Sequence, residues 1–318
     1  MVSPALAIAA RNMRSAMLKD DYQELFTTLK LGQHSVPALW RYMMPEEVLY
    51  FRVDPEAKSS CFDCPKVKAA GFHPNVRCCT VIPRVPNFML GLGFLSGNTL
   101  IPEALDAGML LPEGMIISPR DLRASLSFIS KPNQGLPNVI CPFLNQASKE
   151  CQIYAFRSSV CSTFFCTMDR GQKSEEFWTA LGDLGTQVET ALAQWSLIEA
   201  GFDLDAYFKA LDELDTFEHW TVDQRQKLYG AWFGRERALF EATAHVVVKN
   251  KDKLFEIASV FKPRQSEVYD ARLRAHFRAD YHEDLVAEAL PLGEPEGISS
   301  LWYSLQLAYR NLQLAPKS

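Results

Sequence analysis

The amino-acid sequence predicts a mainly α-helical protein whose irregular, proline-rich and cysteine-rich middle segment binds metal. Three observations lead to this prediction. Residues 172–318 space their apolar side chains as amphipathic helices do. Residues 74–142 hold nine of the eighteen prolines, which exclude long helices there. All eight cysteines lie between Cys61 and Cys166, so a metal site would order loops that otherwise lack a constraint.

These observations divide the chain into three parts. An N-terminal helical segment (1–60) precedes a cysteine-cluster metal-binding region (61–171), and a helical C-terminal region (172–318) follows. At 318 residues the three parts are also compatible with one compact domain.

Composition and charge exclude several classes of protein. The content of 47% hydrophobic and 22% charged residues is typical of globular proteins. A net charge of −5 and a pI near 5.8 argue against nucleic-acid binding, which needs a basic face to neutralise phosphates. The sequence contains no run of eighteen apolar residues, so no membrane-spanning helix is predicted. The apolar run 5–10 is too short for a secretory signal, so we expect a cytoplasmic, bacterial protein.

The N-terminal segment is predicted to hold two helices. Pro4 starts the first, and Asp20 or Asp21 caps the second, which ends at Gly32. Apolar residues recur in the second at helical spacing: Tyr22, Leu25, Phe26 and Leu29.

The C-terminal region is predicted to form four long helices, spanning about 174–201, 221–247, 266–289 and 298–314. Ser174 and Ser266 fit N-caps, and Thr221 with Gln224 fits a capping box. The first helix places one apolar face toward the core: Phe177, Leu181, Leu184, Val188, Leu192 and Trp195. In the middle region, Gly91, Gly93 and Gly97 lack the spacing of a dinucleotide loop, and we interpret them as a turn.

The cysteines form two groups, Cys61-x2-Cys64-x13-Cys78-Cys79 and Cys141-x9-Cys151-x9-Cys161-x4-Cys166. Disulfides would require an oxidising compartment, and cysteines used as small apolar residues would be spread along the chain. Metal coordination therefore explains the clustering best, while disulfides or redox thiols stay open as the alternative.

All eight cysteines are candidate metal ligands. Four thiolates satisfy tetrahedral zinc or the corners of an iron–sulfur cube. The adjacent pair Cys78 and Cys79 favours a cluster, because neighbouring residues rarely both reach one small ion. We therefore predict a 4Fe-4S iron–sulfur cluster, with zinc as the alternative. Arg157, between Cys151 and Cys161, is the candidate cation that contacts the ligands and offsets their negative charge.

Residues 141–166 resemble the bacterial CxxCxxCC family, which is described as zinc- or iron-chelating. The family pattern reads C-x-F-L and then C-x-I-Y-x-x-R-P-x-x-C-R-x-F. The matching residues are Cys141, Phe143, Leu144, Cys151, Ile153, Tyr154, Arg157, Cys161 and Phe164. The family's C-x2-C-x2-C-C is matched by Cys61, Cys64, Cys78 and Cys79, with thirteen residues between the second and third cysteines in place of two. Ser158 replaces the family's Pro, and Ser162 replaces its second Arg.

The resemblance implies metal binding and leaves the biochemical activity open. The flagellin lysine methylases carry a similar cysteine pattern, which makes a cluster-containing protein-modifying enzyme one alternative. The other is a zinc-stapled helical module that binds a protein partner. The sequence does not distinguish these alternatives, and it does not decide whether the protein is an enzyme.

Overall fold

The fold is described from a computed structural model. The protein is mainly helical, as predicted. The structure describes residues 22–56, 83–98, 109–116, 122–123, 126–127, 141–145, 147–148, 150–165, 167–214, 220–289 and 297–314. The predicted features at Pro4, Asp20 and Asp21, and most of the proline-rich stretch, lie outside these residues.

Helices account for most of the described residues. They are α1 (Trp40–Met43), α2 (Glu46–Leu49), α3 (Asn87–Leu95), α4 (Ser159–Thr163), α5 (Gln172–Glu199), α6 (Leu204–Asp212), α7 (Val222–Tyr229), α8 (Glu236–Lys249), α9 (Leu254–Val260), α10 (Glu267–Arg278), α11 (Glu283–Ala289) and α12 (Ile298–Gln313). The strands are β1 (Thr28–Leu31), β2 (His34–Pro37), β3 (Val85–Pro86), β4 (Met109–Leu111) and β5 (Gly114–Ile116). β1 pairs with β2, and β5 lies between β3 and β4, all antiparallel.

A β-hairpin replaces the helix predicted to end at Gly32. β1 and β2 pair with Leu31 opposite His34. Gly32 has a φ of +58° in the turn, a conformation that glycine adopts without steric cost. The prediction was wrong because the helical pattern was short, and Leu29 and Leu31 also alternate as in a strand.

The long central helix α5 carries the predicted core face. Its apolar residues Phe177, Leu181, Leu184, Val188 and Leu192 are all fully buried. The helix begins at Gln172, earlier than predicted, so Ser174 lies buried inside the first turn and is not the cap.

The helix predicted over 298–314 is confirmed as α12, whereas two of the predicted C-terminal helices are interrupted. The capping box of Thr221 and Gln224 is confirmed, but α7 ends at Tyr229. Gly230 and Gly234 follow with positive φ, which breaks the helix before α8 starts. The Ser266 cap is confirmed, and the predicted helix after it is split into α10 and α11.

The glycines interpreted as a turn lie mostly within a buried helix. Gly91 and Gly93 are in α3, and only Gly97 falls in the turn that follows it. A Cβ added at Gly91 would lie 2.6 Å from the carbonyl carbon of Phe240 in α8. The glycine is therefore required for close helix packing, a role that sequence spacing does not reveal.

The largest buried cluster draws residues from all three predicted segments. Its members include Trp40, Phe88, Phe143, Phe177, Phe240 and Leu305. Phe143 belongs to the loop between Cys141 and Cys151, so this loop is packed into the same core as α5.

Candidate metal centre

Cys141 and Cys151 lie on a loop that folds back on itself. Cys151 forms an isolated antiparallel bridge with Leu144. The Leu144 N–H donates to the Cys141 carbonyl at 3.0 Å, and the Asn145 N–H donates to the Glu150 carbonyl at 2.9 Å. These backbone bonds bring two cysteines that are ten residues apart in sequence to one end of a small hairpin.

Cys161 lies in the single-turn helix α4, which packs directly on α5. An added Cβ at Gly185 would lie 2.6 Å from Ser159 Cβ, and one at Gly182 would lie 2.6 Å from Thr163 Oγ1. Both distances are shorter than real Cβ contacts. The two glycines of α5 therefore permit the close approach that places Cys161.

A buried carboxylate fixes the start of α4. Glu189, on α5, is 4% exposed and accepts hydrogen bonds from the Ser159 N–H at 2.7 Å and from the Ser159 hydroxyl at 2.6 Å. Burial raises the pKa of Glu189 to about 7, although both hydrogen bonds and the Arg84 charge act in the opposite direction.

The three described thiols interact electrostatically. Cys141 is buried, Cys151 is half-buried and Cys161 is exposed. Desolvation of its thiol nevertheless raises the pKa of Cys161 to about 12. Negative charge on Cys141 and Cys151 is the next cause that raises the Cys161 pKa. The hairpin and α4 therefore bring their sulfur atoms within electrostatic range of one another.

Two groups near these sulfurs favour the thiolate form, although burial outweighs them and the pKa values of Cys151 and Cys161 stay raised. Burial raises the pKa of Cys151, but a hydrogen bond from the Ile153 N–H and the charge of Arg157 both oppose that rise. Arg157 also lowers the pKa of Cys161. Backbone N–H groups and a cation near the sulfur are the usual surroundings of thiolates that bind metal.

Arg157 is held firmly in place. Its guanidinium stacks on the Tyr154 ring, 3.9 Å from the centroid. Its Nε donates to Ser162 Oγ at 3.2 Å, and its Nη2 donates to the Ser35 carbonyl of β2. A cation fixed in this way keeps its charge beside Cys151 and Cys161.

The two serines that depart from the family pattern have different surroundings. Ser162 accepts the hydrogen bond from Arg157. Ser158 is 1% exposed, and its hydroxyl makes no full hydrogen bond in the structure. That hydroxyl nevertheless lies close enough to the Cys161 sulfur to lower the pKa of the thiol.

The described residues that border the two cysteine groups are bonded to each other. Glu56 accepts a hydrogen bond from the Asp169 N–H at 2.5 Å and another from Trp178 Nε1 at 2.8 Å. Glu56 precedes Cys61 by five residues, and Asp169 follows Cys166 by three. The chain is thus fixed at one place on α5 just before the first group and just after the second.

A histidine lies beside this anchor. His34 packs edge-on against the rings of Phe165 and Trp178, with centroids 4.9 and 4.7 Å away. Its Nε2 donates to the Asp54 carbonyl at 3.0 Å. Burial lowers the pKa of His34, so the imidazole is neutral at pH 7.

Sequence reasoning missed Glu189, Glu56 and His34. A signal existed for Glu189, since it is an acid directly beside the apolar face of α5 and follows the interior glycines Gly182 and Gly185. No local pattern marks the other two, because their partners are far away in sequence.

Three of the eight predicted ligands can be placed. Cys141, Cys151 and Cys161 lie within electrostatic range of one another, whereas Cys61, Cys64, Cys78, Cys79 and Cys166 lie outside the described residues. Within the described residues, no group of three or more His, Cys, Asp or Glu side chains is arranged to hold one metal ion.

Comparison with protein-family models, curated proteins and solved structures finds no match to this chain. The resemblance of residues 141–166 to the CxxCxxCC family therefore stays a prediction. None of the helices in the described ranges combines the length and the apolar character needed to cross a bilayer.

Proposed function

We propose that the chain is a cytoplasmic metal-binding protein that carries a 4Fe-4S cluster on cysteine thiolates. The observation that supports this proposal is that Cys161 lies within electrostatic range of Cys141, Cys151 and Arg157, whose guanidinium is fixed on the Tyr154 ring. Thiolates held close together repel one another, and metal ions remove that repulsion by binding them. When bound, such a cluster supplies an electron-transfer centre or a cross-link between loops.

The cysteine sequence favours a cluster over a single ion. Cys78 and Cys79 are adjacent, and neighbouring residues rarely both reach one small ion. A cube presents several irons, so its ligands stand farther apart than the ligands of one zinc ion. The N–H of Ile153 supplies a hydrogen bond of the kind that stabilises cluster thiolates.

The anchor at Glu56 supports the participation of both cysteine groups. Five residues of extended chain span at most about 18 Å, and three span about 11 Å. Because Glu56 is bonded to Asp169, chain length allows the first group to reach the second. In this proposal the ligands come from the whole set: Cys61, Cys64, Cys78, Cys79, Cys141, Cys151, Cys161 and Cys166.

A second candidate function is an interaction module stapled by zinc. Val160, in the same helix as Cys161, and Phe164, the residue that ends this helix, are both exposed. Apolar side chains exposed together mark surfaces that bind other proteins. The protein-modifying enzyme stays a prediction, because no arrangement of described residues favours it over the other two.

Purification without oxygen separates these functions. A brown protein with about four irons and four sulfides per chain supports the cluster. A colourless protein with stoichiometric zinc supports the module. A folded, metal-free protein with paired cysteines would contradict both.

Variants then test the ligand set. We expect the combined replacement of Cys141, Cys151 and Cys161 by Ser to abolish iron and sulfide incorporation. Arg157→Ala should release iron to a chelator about ten- to a hundredfold faster. Arg264→Ala is the matched control, since Arg264 also lies over an aromatic ring, 4.7 Å from that of Phe208. Full cluster content in the triple cysteine variant would overturn the proposed ligands.

A further inference from the structure

The turn of helix that carries Cys161 cannot hold itself in place. α4 has five residues, whereas isolated helices need about 12–15 residues to be even marginally stable. Its N-cap, Ser158, makes no side-chain capping hydrogen bond. The Ser159 N–H is instead satisfied by Glu189, from a different helix. The cap of α4 is therefore tertiary.

The faces of α4 explain how this cap governs the cysteine. Ser159, Ser162 and Thr163 are buried, as residues at positions i, i+3 and i+4 on one helix face are. Cys161 lies on another face, within electrostatic range of the hairpin cysteines. Cys161 follows Ser159 by two residues in the same helical turn, so a displacement of Ser159 from α5 shifts the backbone of Cys161 as well.

We propose that Glu189 is a positioning residue of the metal centre, setting through its two hydrogen bonds from Ser159 where Cys161 stands relative to Cys141 and Cys151. This inference rests on the proposed function. In it, Glu189 is the group that holds Cys161 in position to bind the same metal as the other two cysteines.

The hydrogen bonds, and not the charge of the carboxylate, carry this role. The charges that act on Cys161 come from Cys141, Cys151 and Arg157, and Glu189 is not among the leading ones. Both Ser159 donors meet the same carboxylate oxygen, Oε1. An amide oxygen in that place can accept both bonds, so Glu189→Gln should preserve the position of α4.

Cobalt(II) titrated into the reduced, metal-free full-length chain tests the inference. Thiolate-to-cobalt charge-transfer absorption reports the number of bound sulfurs as well as the affinity. We expect Glu189→Leu to weaken cobalt binding about ten- to a hundredfold. It should also lose the same share of charge-transfer intensity as Cys161→Ser. Ser159→Ala, which loses one of the two bonds, should show a smaller effect in the same direction.

Two variants should bind cobalt as the wild type does. Glu189→Gln retains the acceptor oxygen, and Glu199→Leu changes an exposed acid on the same helix. Far-UV circular dichroism and a thermal melt identify any variant that does not fold. If Glu189→Leu fails to fold, the contrast between Ser159→Ala and Glu189→Gln decides the matter.

The outcomes are distinguishable. A wild-type chain without a thiolate-to-cobalt band removes the proposed function itself. A wild-type band that keeps its affinity and intensity in both Glu189→Leu and Ser159→Ala, or that weakens equally in Glu189→Gln, overturns the positioning role and leaves the proposed function standing.

Discussion

Replacing Glu189 by Gln should stabilise the protein at alkaline pH and have little effect at acid pH. The carboxyl group is almost fully buried, and burial raises its pKa from 4.5 to about 7. Because its pKa is raised by folding, the group contributes stability that is fully present below about pH 4.5 and is lost as the pH rises through about 7. Gln keeps the oxygen that accepts from Ser159 and never ionises.

The size of the effect follows from the two pKa values. At about 1.4 kcal/mol per pKa step, the difference between 4.5 and about 7 corresponds to about 3 kcal/mol. We expect the free energy of unfolding of Glu189→Gln to exceed that of the wild type by up to about 3 kcal/mol at about pH 8.5. The excess should shrink toward zero near about pH 4.5.

Urea denaturation of both proteins across this pH range measures the difference directly. Glu199→Gln, on the exposed part of the same helix, is the control and should follow the wild type at every pH. A difference that does not change with pH would show that folding does not shift the Glu189 pKa. A Gln variant that is less stable than the wild type at alkaline pH would show that the ionised carboxylate stabilises the fold. Either result would contradict the raised pKa.

Three further outcomes follow from the packing. Gly91→Ala should lower the free energy of unfolding by about 1–3 kcal/mol or more, because the added methyl group pushes α3 away from the Phe240 backbone. Gly297 has open space around it, so Gly297→Ala should change the free energy of unfolding little in the same urea titration. Glu56→Gln should lower the free energy of unfolding by about 1–3 kcal/mol, because the single amide oxygen cannot accept from both the Asp169 N–H and the Trp178 indole. An unchanged urea midpoint would contradict this prediction. Burial lowers the His34 pKa, so the wild type loses free energy of unfolding as the pH falls and His34 takes up a proton. His34→Gln should therefore lose less stability than the wild type between about pH 7 and pH 5. Equal losses in thermal melts of the two proteins would contradict this prediction.

Much of the helical framework could be predicted because local signals and the final fold agree. The core face of α5 follows from apolar spacing, and the caps at Thr221 and Ser266 follow from side chains that bond their own helix. The end of α7 at Tyr229 was not predicted, although Gly230 follows it in the sequence. A glycine within a long helical pattern can either be tolerated in the helix or end it, and the pattern does not distinguish the two.

The candidate site was predictable only in part. The spacing of Cys141, Cys151 and Cys161 predicts them as metal ligands, and the place of Arg157 between two of them predicts that its charge acts on them. Their surroundings could not be predicted in this way. Glu189 contacts a residue thirty positions away, so no window of sequence contains both partners.

The sequence by itself determined the helical class and the concentration of thiols in one third of the chain, because composition and periodicity act locally. Only the tertiary structure decided that residues 28–37 form a hairpin, that Gly91 allows two helices to touch, and that a buried acid on α5 holds the turn carrying Cys161. Each of these depends on groups that meet only after the chain has folded. Their energies come from excluded water and close contact, which a linear pattern does not contain.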